Sequence, residues 1–119
     1  MGKEIELSER LLEFGVSIIK LTSMIRKSFV GKHISLQLLR SSTSVGANYE
    51  EACGAVSKAD FINKMHIVLK EAKESLYWLR LIEKSSIHDS NLTLNLIDEA
   101  GQISKIISKS LITAKKNDK

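Results

Sequence analysis

The feature that most constrains the fold is the spacing of apolar residues between positions 62 and 79. The apolar positions there alternate steps of three and four residues without a gap: Ile62, Met65, Leu69, Ala72, Leu76 and Leu79. This spacing places one row of side chains along a single face of an α-helix. The sequence therefore predicts a third helix over 58–84, opened by Ser57 and Asp60 in an S-x-x-D variant of the capping box.

The other side of this helix carries charged and aromatic residues. Four charged residues are expected to lie in solvent there: Lys70, Glu71, Lys73 and Glu74. Tyr77 and Trp78 are adjacent, so they cannot both face the core row. One of the two rings is expected at a boundary or an intersubunit surface, where amphipathic aromatic residues are favoured. RNA stacking by that ring is the less favoured alternative.

Two more segments show the same helical period. A first helix is predicted over 8–28, with Ser8 as its N-cap, from the row Leu7, Leu11, Phe14, Ile18, Leu21 and Ile25. A fourth helix is predicted over 92–115, from the row Leu96, Ala100, Ile103, Ile107, Leu111 and Ala114. The tail, 115–119, is expected to fray.

The second helix is predicted over 32–54, after a break at Gly31. Its core-facing row is Leu38, Val45, Tyr49, Ala52 and Val56, with Ser42 filling a gap in the spacing. The middle, 41–47, consists mostly of small residues of low helix propensity, which taken alone would predict a loop. Because the row continues through it, we predict helix. Small residues let two backbones approach closely, either inside the bundle or between subunits.

The absence of proline supports helices throughout the chain. A β-rich domain uses Gly and Pro in frequent turns, whereas this sequence has no Pro and only six Gly. A length of 119 residues suits one domain. Four helices with short connections predict an all-α fold, an antiparallel up-down-up-down four-helix bundle over residues 1–119.

Catalytic and metal sites find little support in the residue pattern. His66 is the histidine placed in mid-helix, and Asn63, rather than Glu, stands three residues before it, so the Glu-x-x-His motif of di-iron bundles is missing. No Cys/His cluster suits zinc, no Ser lies in a nucleophile elbow, and no Gly-rich loop could cradle a phosphate. The sequence predicts a protein that is not an enzyme and needs no cofactor.

The location of the protein is predicted from its cysteine and its apolar segments. Lone Cys53 cannot form an intrachain disulfide, which fits a reducing compartment, and it is expected to be packed rather than reactive. The segment 1–6 lacks the apolar run of a signal peptide. The longest apolar stretch, 11–19, is interrupted by Glu13 and is too short to span a bilayer. We expect a cytoplasmic protein without a membrane partner.

A polar stripe runs beside the apolar row of the second helix. It consists of Arg40, Ser44, Asn48 and Glu51, at spacings of four, four and three. One interpretation is an ordinary solvated edge. The other is a partly buried hydrogen-bonded network that fixes helix register, in which Asn48 and Glu51 are structural. The sequence leaves both open.

Basic residues form two groups that could contact nucleic acid. The formal net charge is +4. One group surrounds the end of the first helix: Arg26, Lys27 and Lys32. The other lies on or next to one face of the last helix: Lys105, Lys109, Lys115 and Lys116. Such lysines would contact phosphates with little sequence selectivity. A solvated helix face is the stronger interpretation for a monomer, whereas a ring of identical subunits would multiply the patches.

Four segments of the sequence resemble a known bacterial family. They are QLLRSSTSVGANYEEA at 37–52, KADF at 58–61, LKEA at 69–72 and YWLRL at 77–81. Together they resemble the four-helix-bundle proteins encoded in intervening sequences of large-subunit ribosomal RNA genes, loosely called ribosomal proteins. The accessory variability protein of diversity-generating retroelements is similar too.

The resemblance implies more than the residue pattern alone. It implies a homopentameric, barrel-like ring with a positively charged surface for nucleic acid and, in the retroelement branch, a reverse-transcriptase partner. The residues that match the family signature are Arg40, Ser44, Asn48 and Glu51 on the second helix, with Asp60 and Phe61 at the start of the third. Asp98 and Glu99 on the last helix reduce its basic excess. We therefore expect an assembly protein that binds structured RNA or a nucleic-acid-bound protein; the alternative is a protein–protein scaffold.

Overall fold

Four α-helices account for nearly all of the described chain: α1 (Lys3–Ile25), α2 (Phe29–Cys53), α3 (Lys58–Ser85) and α4 (Asn91–Lys116). The structure is a computed structural model that describes residues 2–116, without the side chains of residues 3–5. This range contains helices and no strand, so the predicted all-α class is confirmed. Lys115 and Lys116 are helical rather than frayed, and the rest of the tail, 117–119, lies outside the described residues.

The first two helices begin earlier than the sequence indicates. Ser8 lies inside α1 and is not its N-cap. Gly31 does not break the chain, because it lies in the first turn of α2, where its backbone N–H donates to the Ser28 hydroxyl at 2.9 Å. A Cβ built on Gly31 would lie 1.8 Å from the carbonyl oxygen of Ile25. Glycine therefore permits the close approach of the end of α1 to the start of α2.

The connection between α2 and α3 holds one predicted cap and two corrections. Ser57 is the N-cap of α3, and its hydroxyl accepts the backbone N–H of Asp60 at 3.1 Å. Val56 was predicted to face the core, but it is 94% exposed because α2 ends three residues earlier. Cys53, expected to be packed, is also exposed, since it is the last residue of α2.

The core is built from the inward rows of all four helices. α1 packs against α2 and α4, and α3 also packs against α2 and α4. Within residues 2–116, α1 makes no close backbone contact with α3, nor α2 with α4. The α1–α2 pair and the α3–α4 pair therefore form opposite sides of the bundle. The largest fully buried apolar side chains are Leu11, Ile18, Leu21, Leu38, Met65, Leu79, Ile82, Ile103 and Ile107.

The small-residue segment of α2 is continuous helix and packs against both neighbouring helices. Ser41 is fully buried against Ser75 of α3, and their hydroxyl oxygens are 3.0 Å apart. On the α1 side, a Cβ added to Gly46 would lie 3.6 Å from the Cβ of Leu11. Small side chains here allow close helix approach within one chain, because larger ones would separate the backbones.

Candidate interaction surfaces

Arg40 of the polar stripe joins α2 to α3. Its guanidinium donates to Glu71 at 3.3 Å and also bonds Glu74. Glu71 is buried, so its predicted position in solvent is wrong, and Glu74 is half-buried. The physical reason is that α2 packs on this side of α3 and Arg40 supplies the positive charge that a buried carboxylate requires.

The other members of the stripe bond within their own helix or face solvent. The Ser44 hydroxyl donates to the carbonyl of Arg40 at 2.8 Å, and the Asn48 amide donates to the carbonyl of Ser44 at 2.8 Å. Both residues are half-buried, whereas Glu51 is exposed. Arg40 is the stripe residue that bonds another helix within the part of the chain that the structure describes. The stripe is therefore not a single buried network in one subunit.

A chain of contacts connects Arg40 to an exposed aromatic ring. The indole N–H of Trp78 donates to Glu74 Oε2 at 3.0 Å, the oxygen that Arg40 also bonds. The Trp78 ring meets the Tyr77 ring edge to face, with centroids 5.1 Å apart, and the His33 ring at 6.3 Å. Trp78 is half-buried, whereas Tyr77 is 58% exposed. Tyr77 is thus an exposed ring that packs against the half-buried ring of Trp78.

An apolar groove of about 670 Å³ lies between α1 and α2. We call it the α1/α2 groove and define it by Leu12, Val16 and Ile19 of α1 with Thr43, Gly46 and Ala47 of α2. The side chains of Leu12 and Ile19 are 59% and 53% exposed. Glu9 and Glu50 also line it. Contiguous exposed apolar surface with a polar rim is typical of an interaction site.

The predicted basic residues are all exposed, but they remain two separate groups. Arg26, Lys27 and Lys32 surround the connection between α1 and α2. The second group occupies the C-terminal half of α4: Lys105, Lys109, Lys115 and Lys116. The signature residue Asp60 receives an ion pair from Lys64 at 2.7 Å, and Phe61 is half-buried against the core.

A third basic surface, which was not predicted from the sequence, lies on the outer face of α3. We call it the α3 basic row and define it as His66, Lys70, Lys73, Tyr77, Arg80 and Lys84, all of which are exposed. Its spacings of four, three, four, three and four place it on one face. These positions have the same helical period in the sequence as the core row, but the sequence does not show that Glu71 and Glu74 turn towards α2.

Arg10 and Glu99 form a further interhelical ion pair, between α1 and α4. Arg10 donates twice to the carboxylate, at 2.8 and 2.7 Å. These hydrogen bonds raise the pKa of Arg10 above its ordinary value. Among the side chains that the structure describes, no three His, Cys, Asp or Glu residues are grouped as metal ligands would be. No helix within residues 2–116 has the length and apolar character needed to cross a bilayer.

Comparison with known proteins identifies one family. The sequence profile described as "23S rRNA-intervening sequence protein" matches residues 3–109. Among solved structures, the chain is similar to a protein with unknown function from the S23 ribosomal protein family of Bacteroides thetaiotaomicron, solved at 1.70 Å. The two are 36% identical with a TM-score of 0.83, over 92% of this chain and 98% of the other. A comparison with curated proteins gives no match.

Proposed function

The chain belongs to the 23S rRNA-intervening sequence protein family, and on this premise we propose that it is a non-enzymatic, oligomeric assembly protein that binds structured RNA. Its site of action is the cytoplasm. The observation that carries the proposal is the number of exposed cations that have no ion-pair partner among the described side chains. Lysines that are not neutralised by the protein's own carboxylates are free to displace counterions from RNA phosphates.

Both predicted basic groups have this character. Among the described side chains, which do not include those of residues 3–5, no ion pair involves the first basic group (Arg26, Lys27 and Lys32) or the α4 lysines. The described ion pairs use other cations, namely Arg10, Arg40 and Lys64. The structure therefore supports binding through basic surfaces that are available to a partner.

We propose that neighbouring helices run antiparallel, in the up-down-up-down order. The connections are residues 26–28, 54–57 and 86–90. A helix such as α2 is about 37 Å long, which so short a connection cannot span. Each helix must then begin near the end of the preceding one, which favours antiparallel neighbours.

The proposed assembly is a homopentameric ring, as the resemblance implies. The α1/α2 groove supports self-association, because its exposed apolar side chains would be removed from water by a second copy. Leu12 and Ile19 are already about half buried, so covering each completely would contribute on the order of 1 kcal/mol, about half the value for a fully exposed side chain. Several such side chains per subunit would contribute substantially to association.

The alternative function is a protein–protein scaffold without nucleic-acid binding of its own, for example a reverse-transcriptase accessory. The same groove favours it, since apolar surface recognises protein rather than phosphate. The two functions differ in the effect of salt, because RNA affinity is expected to fall steeply as the salt concentration rises.

The test measures RNA affinity across a salt series. Purified full-length protein is titrated into a labelled RNA hairpin between 50 and 300 mM KCl, and solution mass is measured by light scattering. We expect affinity to fall steeply and linearly on logarithmic axes, because binding releases counterions. No binding at the lowest salt concentration would reject RNA binding and favour the scaffold. A monomeric mass would reject the ring.

A further inference from the structure

We propose that the outer face of α3 is the principal RNA-binding surface and that it holds a single-stranded stretch of structured RNA. This inference rests on the proposed function and places the main contact away from the two basic groups predicted from sequence. The α3 basic row would contact the phosphates through four cations, and Tyr77 would stack on an unpaired base.

The row is long and faces away from the core. From His66 to Lys84 it spans about 27 Å, at 1.5 Å per residue. The positions that lie on the opposite face, Val68, Ala72 and Leu79, are all buried. Four cations and two aromatic rings thus share one solvent-facing strip, Lys70, Lys73, Arg80 and Lys84 with His66 and Tyr77. Positive side chains interleaved with aromatic rings are what proteins that hold single-stranded RNA present.

The carboxylates of α3 do not neutralise this strip. Asp60 is paired with Lys64 one turn along the helix, at 2.7 Å. Glu71 and Glu74 point towards α2, where both bond Arg40. Glu83 is the remaining acid of α3 and is exposed beside Lys84, at the end of the row. Arg40 bonds both central carboxylates from the neighbouring helix and offsets one of their two negative charges. These carboxylates therefore weaken the attraction of the outer cations for phosphate less than unpaired carboxylates would.

The α4 lysines lack this separation of charges. Asp98 is exposed on the same helix as Lys105 and Lys109. It lies seven residues before Lys105, a spacing that places both on one face of the helix. A carboxylate in line with the lysines repels phosphate and shortens the useful surface. α4 also carries no aromatic side chain beside its lysines, so a single-stranded stretch with an unpaired base fits α3 better than α4.

Tyr77 is prepared for stacking by the residues behind it. Its ring is exposed but rests edge to face on Trp78, with centroids 5.1 Å apart. Trp78 is fixed in turn by its hydrogen bond to Glu74. A ring held in one orientation loses less conformational freedom on binding than a free side chain. Arg40 acts here as a positioning residue, because it bonds the carboxylate that holds Trp78.

The position of α3 in the bundle leaves its outer face available in an assembly that uses the groove. The α1/α2 groove lies on the α1–α2 side, whereas α3 and α4 form the opposite side. A second copy in the groove would not cover the α3 basic row of the same subunit. A ring also needs a second, different contact surface on each subunit, so RNA binding and ring assembly are compatible when that second surface lies off the α3 basic row.

The test compares two variants that each remove four positive charges. The α3 variant carries Lys70→Gln, Lys73→Gln, Arg80→Gln and Lys84→Gln, and the matched α4 variant carries Lys105→Gln, Lys109→Gln, Lys115→Gln and Lys116→Gln. The probe is a labelled hairpin RNA with a twelve-nucleotide mixed-sequence loop. We expect the α3 variant to bind about thirty-fold or more weakly at low salt. Its log–log salt slope should fall by about 3, at about 0.7 for each phosphate that is no longer neutralised.

The outcomes separate this inference from the proposed function. The α3 surface is supported if the α3 variant loses affinity as expected while the affinity of the α4 variant for the hairpin stays within about three-fold of wild type. Equal losses of affinity in both variants, or a larger loss in the α4 variant, overturn the inference but leave RNA binding in place. No binding by wild type overturns both. An α3 variant whose solution mass changes while its affinity per subunit does not would identify the row as a subunit contact and also overturn the inference.

Tyr77 provides a second test that does not depend on net charge. Tyr77→Ala should weaken binding to the looped hairpin by about ten-fold, because loss of base stacking is the expected effect. Tyr77→Phe keeps a ring and should bind within about two-fold of wild type. A fully paired RNA duplex should show little difference among the three proteins. Equal affinity of the Ala variant and wild type for the loop would overturn the stacking role.

Discussion

Ser41 of α2 and Ser75 of α3 face each other in the core, with hydroxyl oxygens 3.0 Å apart. Ser75 also donates to the Glu71 carbonyl of its own helix at 2.9 Å. A hydroxyl has a single proton, so the Ser41 hydroxyl can donate to Ser75 or to the Leu38 carbonyl, 3.2 Å away, but not to both at once. Both side chains are fully buried. The pair shows how the unusual composition of α2 serves the bundle: two small polar side chains find hydrogen-bond partners in the core while the helices come close together.

Enlarging this contact should destabilise the fold. We expect Ser75→Leu to lower the free energy of unfolding by about 1–3 kcal/mol, because extra atoms in a close-packed contact force the helices apart. Urea unfolding followed by circular dichroism measures the change. Thr113→Leu, at an exposed position of α4, is the control and should be nearly neutral. Equal stability of the two variants would show that the α2–α3 contact can expand freely.

Removing Arg40 should destabilise the fold, because the carboxylate of Glu71 is buried and depends on this cation. We expect Arg40→Met to lower the free energy of unfolding by about 1–3 kcal/mol, because Glu71 loses its partner while remaining buried. The double variant Arg40→Met/Glu71→Met should recover most of that stability, since the buried carboxylate of Glu71 is removed together with its partner. Arg10→Met removes an ion pair whose carboxylate is more exposed, 29% for Glu99 against 9% for Glu71, and should cost less than about 1 kcal/mol. A double variant less stable than Arg40→Met would contradict this explanation.

Gly31 should not tolerate a side chain. A Cβ at this position would lie 1.8 Å from the Ile25 carbonyl oxygen, so backbone atoms must move. We expect Gly31→Ala to destabilise the protein by about 1–3 kcal/mol, measured by thermal or urea unfolding. Gly15→Ala is the matched control, because a Cβ there meets nothing within 4 Å. The free energy of unfolding of the control should rise by up to about 1 kcal/mol, because Ala has a higher helix propensity than Gly. A rise for Gly31→Ala as well would contradict the close approach of Gly31 to Ile25.

The α1/α2 groove should be sensitive to charge if it is a contact between copies. We expect Val16→Glu to reduce the mass in solution, because a carboxylate would be buried against apolar side chains next to Glu9 and Glu50. Light scattering measures the mass, and circular dichroism checks that helix content is kept. Ile112→Glu, at an exposed position of α4, should retain the wild-type mass. A Val16→Glu protein with unchanged mass would remove the groove from the assembly.

Asp60 should titrate below its ordinary value. The Lys64 ammonium and the backbone N–H of Val56 hydrogen-bond its carboxylate and lower its pKa from 3.8. A lowered carboxyl pKa stabilises the folded state above the pKa of the unfolded state, and that contribution is lost as pH falls through the folded value. An NMR titration of the carboxyl carbon measures the midpoint. Lys64→Met should raise the midpoint towards 3.8, whereas Lys58→Met should change it less.

The helices and most of their inward faces could be predicted because helical periodicity is a local property. Leu11, Phe14 and Ile18 are close in sequence, and their spacing alone places them on one face. The continuous helix through 41–47 follows from the same argument despite its low propensity. Errors at the helix ends have a tertiary cause: Gly31 looks like a breaker until the Ile25 carbonyl is seen beside it.

The candidate surfaces were predicted less completely. The two basic groups predicted from sequence are exposed, and the signature residues are found along α2 and at the start of α3. The α3 basic row was missed because the charges of α3 looked mixed, with Glu71 and Glu74 among the lysines. Only the packing of α2 against α3 shows that these acids turn inward to Arg40.

The sequence by itself determined the all-α class, the inward rows and the family, since each depends on residues near one another in the chain. Tertiary structure decided which polar residues are buried and which charges remain free. That division depends on which helix faces pack together, and on partners such as Arg40 and Glu71 that lie 31 residues apart in sequence. Burial of a charge is stable only beside its partner, so no local pattern could have placed Glu71 inside and left Lys70 in solvent.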